Sequence, residues 1–286
     1  MKEITDSLKE PFDTKAIDYI TLLNFDETLT HQLSLQKLPH EWIDFSDIHH
    51  KNGFCEETSL KKIRSRLQKR KVSKLSYIGS GNYHYVTYLF LERINRPFSL
   101  ILFDHHSDLF DHGPLISCGS WVKYSLYHFH HLNKVVIIGV NEEDYHYFQN
   151  NPIFKEKIMM INEQKLYRTP LHILVNDIRE HLKDEKRIYI SVDKDVLNPS
   201  EAVTNWDQGS MSVVQMLYII EKLLSHYSFI GMDVCGEFIK NIESEYKFVA
   251  LDRVKMNEIV NVTLAGFIKG LSEGDDQGHS SSVHAT

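Results

Sequence analysis

A series of short apolar runs, each closed by polar or glycine residues and followed by a stretch long enough for a helix, limits the folds open to this chain. The runs are LSYIG at 75–79, FSLILF at 98–103, VVIIGV at 135–140, RIYISV at 187–192 and FIGMDV at 229–234. Their length, β-branched and aromatic content and flanking turn signals mark them as buried strands. Between them lie VTYLFLERI, WVKYSLYHFHHL and SMSVVQMLYIIEKLLSHYS, which have the length of crossover helices. The alternation predicts an α/β fold, a three-layer αβα sandwich with a mostly parallel central sheet. Such a sheet places its ligands in the crevice beyond the carboxyl ends of the strands.

With 286 residues, 42% of them hydrophobic, the chain can bury a large core. No internal repeat or compositional break divides it, so residues 1–270 are expected to form one domain. Residues 271–286, which include SEGDDQGHSSSVHAT, lack the apolar side chains needed to hold them down and are expected to be mobile. A formal charge of −7 gives no general support for a nucleic-acid partner. The basic stretch KKIRSRLQKRKVSK at 61–74 carries Ile63 and Leu67 four apart, the spacing of an amphipathic helix with its charged face in water. Cys55, Cys118 and Cys235 form no CxxC pair. Without a signal peptide or an apolar stretch near ~18 residues, the expectation is a cytosolic protein with no membrane partner. A homo-oligomer is compatible with the sequence.

The polar residues after these runs carry the chemistry. DHHSD at 104–108 directly follows FSLILF, and the two-residue spacing of Asp104, His106 and Asp108 would put them on one side of an extended chain, with His105 and Ser107 on the other. SVDKD at 191–195 repeats the device with Asp193 and Asp195. Brought into one crevice without cations, four aspartates repel one another. Two divalent ions relieve that repulsion, and imidazoles supply further ligands. His84, in SGNYH at 80–84 after the LSYIG run, is positioned to enter the same crevice.

In their order, the motifs GSGNYH at 79–84, DHHSD at 104–108 and DKD at 193–195 resemble the arginase, agmatinase and formiminoglutamase superfamily of manganese ureohydrolases. The resemblance implies that His84, Asp104, Asp108 and Asp193 hold one ion, that His106, Asp104, Asp193 and Asp195 hold the other, and that Asp104 and Asp193 bridge. This oxygen-rich set suits manganese better than a thiolate-based zinc site would. It also implies a hydroxide between the ions that attacks the planar carbon of a guanidino, amidino or formimino group, with Asp108 orienting it.

The chain departs from the family pattern in several places. The family's late strand carries a Glu three positions after its Asp. Here Asp233 is followed by Gly236 at that distance and by Glu237 one place later. A bulge at Gly236 would aim Glu237 at a substrate guanidinium or amidine. Cys118 in SCGS at 117–120 stands where the resembled family has its proton-transferring His, and either Cys118 or the nearby His112 could take that role. Phe110, two positions beyond Asp108, disfavours arginine itself because a ring cannot supply hydrogen bonds to an amino-acid carboxylate. Glu142 and Asp144 in GVNEED at 139–144 lie where the family binds an amine, and read equally as solvated loop carboxylates.

Two further readings stay open on sequence. One is an amide hydrolase related to the single-zinc deacetylase branch of the same fold. The other is a catalytically silent protein that keeps its metal site for structure or partner binding.

Overall fold

The computed structural model describes residues 17–152, 154–239 and 247–280. Its strands are β1 (Ile20–Asn24), β2 (His40–Asp44), β3 (Phe54–Cys55), β4 (Leu75–Tyr77), β5 (Phe98–Phe103), β6 (Ile116–Ser117), β7 (Leu132–Val140), β8 (Ile158–Asn162), β9 (Arg187–Asp193) and β10 (Ser228–Cys235). Eight of them form one sheet in the order β2-β1-β4-β10-β9-β5-β7-β8, while β3 and β6 form a separate antiparallel pair. Every pairing in the eight-stranded sheet is parallel. The mostly parallel αβα sandwich expected from the alternating runs is therefore the observed architecture.

The helices are α1 (Leu33–Gln36), α2 (Glu57–Gln68), α3 (Val86–Leu91), α4 (Trp121–His128), α5 (Glu142–Phe148), α6 (Glu163–Arg168), α7 (Leu171–His181), α8 (Val213–Leu224) and α9 (Lys247–Ser280). Strand alternation separates the core into two layers. Phe98, Leu100 and Leu102 of β5 pack with Ile63 of α2, Phe90 of α3 and Trp121 of α4. Ile101 and Phe103 of the same strand pack with Ile178 of α7, Ile220 of α8 and Leu264 of α9 on the opposite face. Burial on both faces explains why the central strands read as unbroken apolar runs.

Within the basic stretch, α2 buries Ile63 and Leu67, so the amphipathic reading of its apolar spacing holds. Its cations meet surface acids: Arg66 pairs with Asp47, Arg64 with Glu92 and Lys61 with Glu57. The tail expected from residue 271 begins on α9, and residues 281–286 lie outside the described residues.

Four adjacent strands, β4, β10, β9 and β5, occupy the middle of the sheet. The chain lays down β4 and β5 first, and β9 and β10 later fill the gap between them. Their carboxyl ends consequently converge although the residues that follow them are far apart in sequence.

Candidate metal centre and active site

Beyond β4, the Ser80 side chain accepts a hydrogen bond from Asn82 N and starts a short 3-10 turn, Gly81–Tyr83, that delivers His84. The turn lies against the end of β9: a Cβ on Gly81 would stand 2.7 Å from Asp193 Oδ2. Only glycine leaves room for that approach.

DHHSD and DKD reach the crevice by a shared turn rather than by extended backbone, which corrects the expectation from their spacing. Asp104 Oδ1 accepts from His106 N at 2.7 Å, and Asp193 Oδ1 accepts from Asp195 N at 3.0 Å. A short carboxylate that captures the amide two residues on curls the chain as it leaves the sheet. Asp108 closes the first motif at φ 53, a left-handed conformation uncommon for a residue with a Cβ. His105, expected to point away from Asp104, His106 and Asp108, is buried and does not line the cavity.

These turns bring His84, Asp104, His106, Asp108, Asp193 and Asp195 to the lining of one cavity of about 380 Å³. His84 Nδ1 lies 3.2 Å from Asp104 Oδ2, 3.2 Å from Asp108 Oδ2 and 3.6 Å from Asp193 Oδ2. His106 Nδ1 lies 2.9 Å from Asp195 Oδ2 and 3.6 Å from Asp104 Oδ1. Asp104 thus turns one oxygen toward each imidazole, and the centre has a His84 side and a His106 side.

Each imidazole is held from behind. His84 Nε2 meets Ser191 Oγ at 2.9 Å, and Ser191 Oγ donates to Asp233 Oδ1 at 2.8 Å. Thr87 and Tyr189 also donate to Asp233. His106 Nε2 meets Asp207 Oδ1 at 3.1 Å. Trp121 Nε1 donates to Asp108 Oδ2. An outer hydrogen bond on a ring nitrogen fixes the tautomer and turns the other nitrogen inward, as a metal ligand requires.

The donor set and its charge fit divalent cations. Burial followed by the Asp104 charge pushes the Asp108 carboxyl up to about 7, and burial with neighbouring aspartates raises Asp193 and Asp195. Burial also acts to raise Asp104, but hydrogen bonds from His106 and His84 carry it below the ordinary range. Burial would lower His106, yet Asp104 and Asp195 hold it well above its usual value. The protons retained on these carboxyls and imidazoles are what bound cations would displace.

Aromatic side chains shape the rest of the cavity. Phe54, Phe110, His112 and Trp206 line it with Cys118. Phe110 and His112 are stacked, their ring centroids 6.1 Å apart and planes within 7°. Burial, then the charge of Asp108, pushes the Cys118 thiol up to about 12, so it holds its proton at neutral pH in the ion-free chain.

Glu237 is placed differently from its expected role. Gly236 does turn the chain, with φ 87, but it aims Glu237 at the buried ammonium of Lys194. Asn257 Nδ2 and Asn261 Nδ2 of α9 donate to the same carboxylate at 3.2 and 2.6 Å. A carboxylate already satisfied this way, outside the cavity wall, is not free for a substrate cation.

Glu142 and Asp144 are likewise engaged elsewhere. Asp144 accepts from Ser107 N at 2.7 Å, and Glu142 accepts from Asn162 Nδ2 at 2.8 Å. Both sit in the first turn of α5, where acids suit the helix dipole, and neither lines the cavity.

The parallel sheet and the histidines and aspartates gathered at the carboxyl ends of its strands define the class: an α/β protein with a candidate metal centre. Residues 17–236 match the model of the arginase family, and the chain belongs to that family. An uncharacterized protein of Thermotoga maritima is 30% identical over 180 residues, 60% of this chain and 63% of that protein. An agmatinase of Blochmanniella floridana is 28% identical over 167 residues, 56% of this chain and 51% of the agmatinase. The chain's match therefore spans less than two thirds of either relative. Among solved structures, formimidoylglutamase from Bacillus subtilis subsp. subtilis str. 168 is similar in fold, with TM-score 0.64 at 14% identity, covering 91% of this chain and 89% of that one.

Several contributors to the site carried no signal of their own in sequence. Ser191 and Trp121 touch candidate ligands only through tertiary contacts, and the link from Ser191 on to Asp233 is likewise tertiary. Lys194 is legible as part of DKD, but its partner Glu237 is 43 positions away.

Proposed function

We propose that this protein is a binuclear metal-dependent hydrolase that cleaves a C–N bond in a small guanidino, amidino or formimino compound. The observation that carries the reading is the convergence of the six ligand residues on the cavity lining, with Asp104 facing both imidazoles. His84, Asp104, Asp108 and Asp193 would hold one divalent ion, and His106, Asp195, Asp104 and Asp193 the other, with manganese the ion expected from the family. When bound, the ions supply positive charge that lowers the pKa of water and stabilises charge developing at the reacting carbon.

The chain's residues would do the rest. Asp108 accepts from Trp121 and faces the His84 side, where its carboxylate would orient the attacking water. Phe54, Phe110, His112 and Trp206 would enclose the body of the substrate and exclude solvent. Because Lys194 engages Glu237, the cationic or polar end of the substrate must be recognised without that carboxylate. Cys118 would act in packing, with His112 the more exposed ionisable side chain on the same cavity lining.

The test is a screen of guanidino, ureido, amidino and formimino compounds with manganese-loaded protein, read as release of urea, ammonia or an amide. Turnover that Asp108→Asn suppresses more than it weakens binding supports the reading. Full loading with two ions and no hydrolysis of any C–N bond refutes it.

A further inference from the structure

The two sides of the centre differ in one donor that the ligand pattern does not contain. Cys235, the last residue of β10, pairs in register with Asp193, the last residue of β9. In-register neighbours on adjacent strands present their side chains to the same face. The Cys235 thiol accordingly lies against a ligand: Sγ donates to Asp193 Oδ2 at 3.1 Å. This is the same carboxylate oxygen that lies 3.6 Å from His84 Nδ1. The possible ligand atoms of His84, Asp193 and Cys235 all lie within 4.8 Å of one another, and all three residues are buried.

The following residue holds this arrangement in place. A Cβ on Gly236 would stand 2.4 Å from Asp193 Oδ1, so the backbone beyond Cys235 is pressed onto the second oxygen of the same carboxylate. The His106 side has no counterpart. Its group is Asp104, His106 and Asp195, with oxygen and nitrogen donors only. Cys118 lines the cavity but belongs to none of the metal-ligating groups among the described residues.

We propose that Cys235 supplies a sulfur donor to the ion on the His84 side, so that the two ion positions differ in chemistry. The His84 position, with nitrogen, oxygen and sulfur, favours a borderline-soft ion such as zinc, iron(II) or cobalt(II). The His106 position, with nitrogen and oxygen, accepts a harder ion such as manganese. The inference rests on the metal centre of the proposed function but on no substrate, and its test does not read turnover. Failure to hydrolyse any compound would leave it standing. The alternative role for Cys235 is that of a small core hydrophobe packed beneath the site.

Cobalt(II) loading separates the two roles. Wild-type protein carrying two cobalt ions should show a near-ultraviolet sulfur-to-cobalt charge-transfer band. Cys118→Ser should keep that band, and Cys235→Ser should lose it while still binding cobalt. Zinc affinity in Cys235→Ser should fall on the order of 10- to 100-fold, with manganese affinity nearly unchanged. X-ray absorption of wild-type zinc protein gives a measurement that needs no variant: a sulfur neighbour at about 2.3 Å is expected. Absence of both the band and the sulfur neighbour in fully loaded wild-type protein overturns the proposal, as does a band that survives in Cys235→Ser.

Discussion

His84 is 1% exposed and passes its outer nitrogen to Ser191 and Asp233 in the sheet interior. The His106 side chain is 24% exposed and passes its outer nitrogen to Asp207, whose side chain is 73% exposed. The same imidazole–carboxylate chemistry therefore has a buried version, reached through a serine, and a solvent-facing version with direct contact. The buried version is over-determined: Asp233 accepts from Ser191, Thr87 and Tyr189 at once, which leaves its carboxylate little freedom to turn. The exposed version depends on a side chain that water can solvate instead. We expect the His84 side to be the preorganised, slowly exchanging position and the His106 side the labile one.

The largest effect should come from Asp104, the carboxylate that turns one oxygen to each imidazole. Asp104→Asn removes the charge facing His84 and His106 together, and the protein should pass from two bound ions to none at micromolar free metal. Stoichiometry by elemental analysis after gel filtration decides the point. One tightly retained ion in this variant would mean that Asp104 serves a single side.

Behind both sides stands the Lys194–Glu237 pair. Lys194 lies between Asp193 and Asp195, and its ammonium also reaches Asn261 Oδ1 at 3.2 Å. Lys194→Met leaves a buried carboxylate without its cation and should destabilise the ion-free protein by about 3–5 kcal/mol, measured by denaturant unfolding. The double variant Lys194→Met/Glu237→Gln removes the orphaned charge and should recover part of that loss. If the single and double variants are equally unstable, the pair acts through packing and not through charge.

Ser191→Ala breaks the buried path from His84 to Asp233 and should weaken one ion by roughly 10- to 100-fold while the other is kept. Competition with a chelator of known affinity measures this. Equal weakening of both ions would dissolve the distinction between the two sides.

pH should sharpen the same distinction. In the ion-free chain Asp108 retains its proton up to about pH 7, and His84 stands well above its ordinary value despite burial, through Cys235, Asp104 and Asp108. An ion on the His84 side needs Asp108 ionised and His84 neutral, so binding releases protons. Protons compete at low pH, and affinity should rise from pH 6 to 8 by up to about tenfold per unit for each proton released. Calorimetry in buffers of different ionisation enthalpy counts those protons. A flat profile would show that the site loses its protons before the ion arrives.

The six histidines and aspartates of the cavity lining were legible because each lies just after an apolar run, and a turn only a few residues long carries it into the crevice. Spacing alone misdescribed how they arrive: the curl comes from Asp104 and Asp193 capturing amides two residues on, which a pattern of alternating directions does not encode. Glu237 was legible as an acid near the site, but its direction depends on Lys194 from the turn after β9 and on two asparagines of α9. No local pattern joins residues that far apart. The outer part of the sheet was faint for another reason. β2, with the sequence HEWID, buries only Ile43 fully, and an edge strand so solvated resembles loop.

Asp207→Asn should produce the smallest effect. The carboxylate touches His106 Nε2 at 3.1 Å and approaches His105 Nε2 at 3.7 Å, but it is largely solvated. Water can replace it as the partner of the outer nitrogen, and an exposed pair of this kind contributes about 0–1 kcal/mol. The expected loss is less than about tenfold in the affinity of the His106-side ion, with the His84 side unaffected. The carboxamide retains an acceptor oxygen, so the ring orientation should persist and only the electrostatic part should be lost, more visibly at low salt. A chelator titration at two ionic strengths is the measurement. If Asp207→Asn matched Ser191→Ala in size, solvent exposure would not be what separates the two positions, and the closing of Trp206 over His106, at 5.7 Å between ring centroids, would become the feature that makes the exposed side rigid.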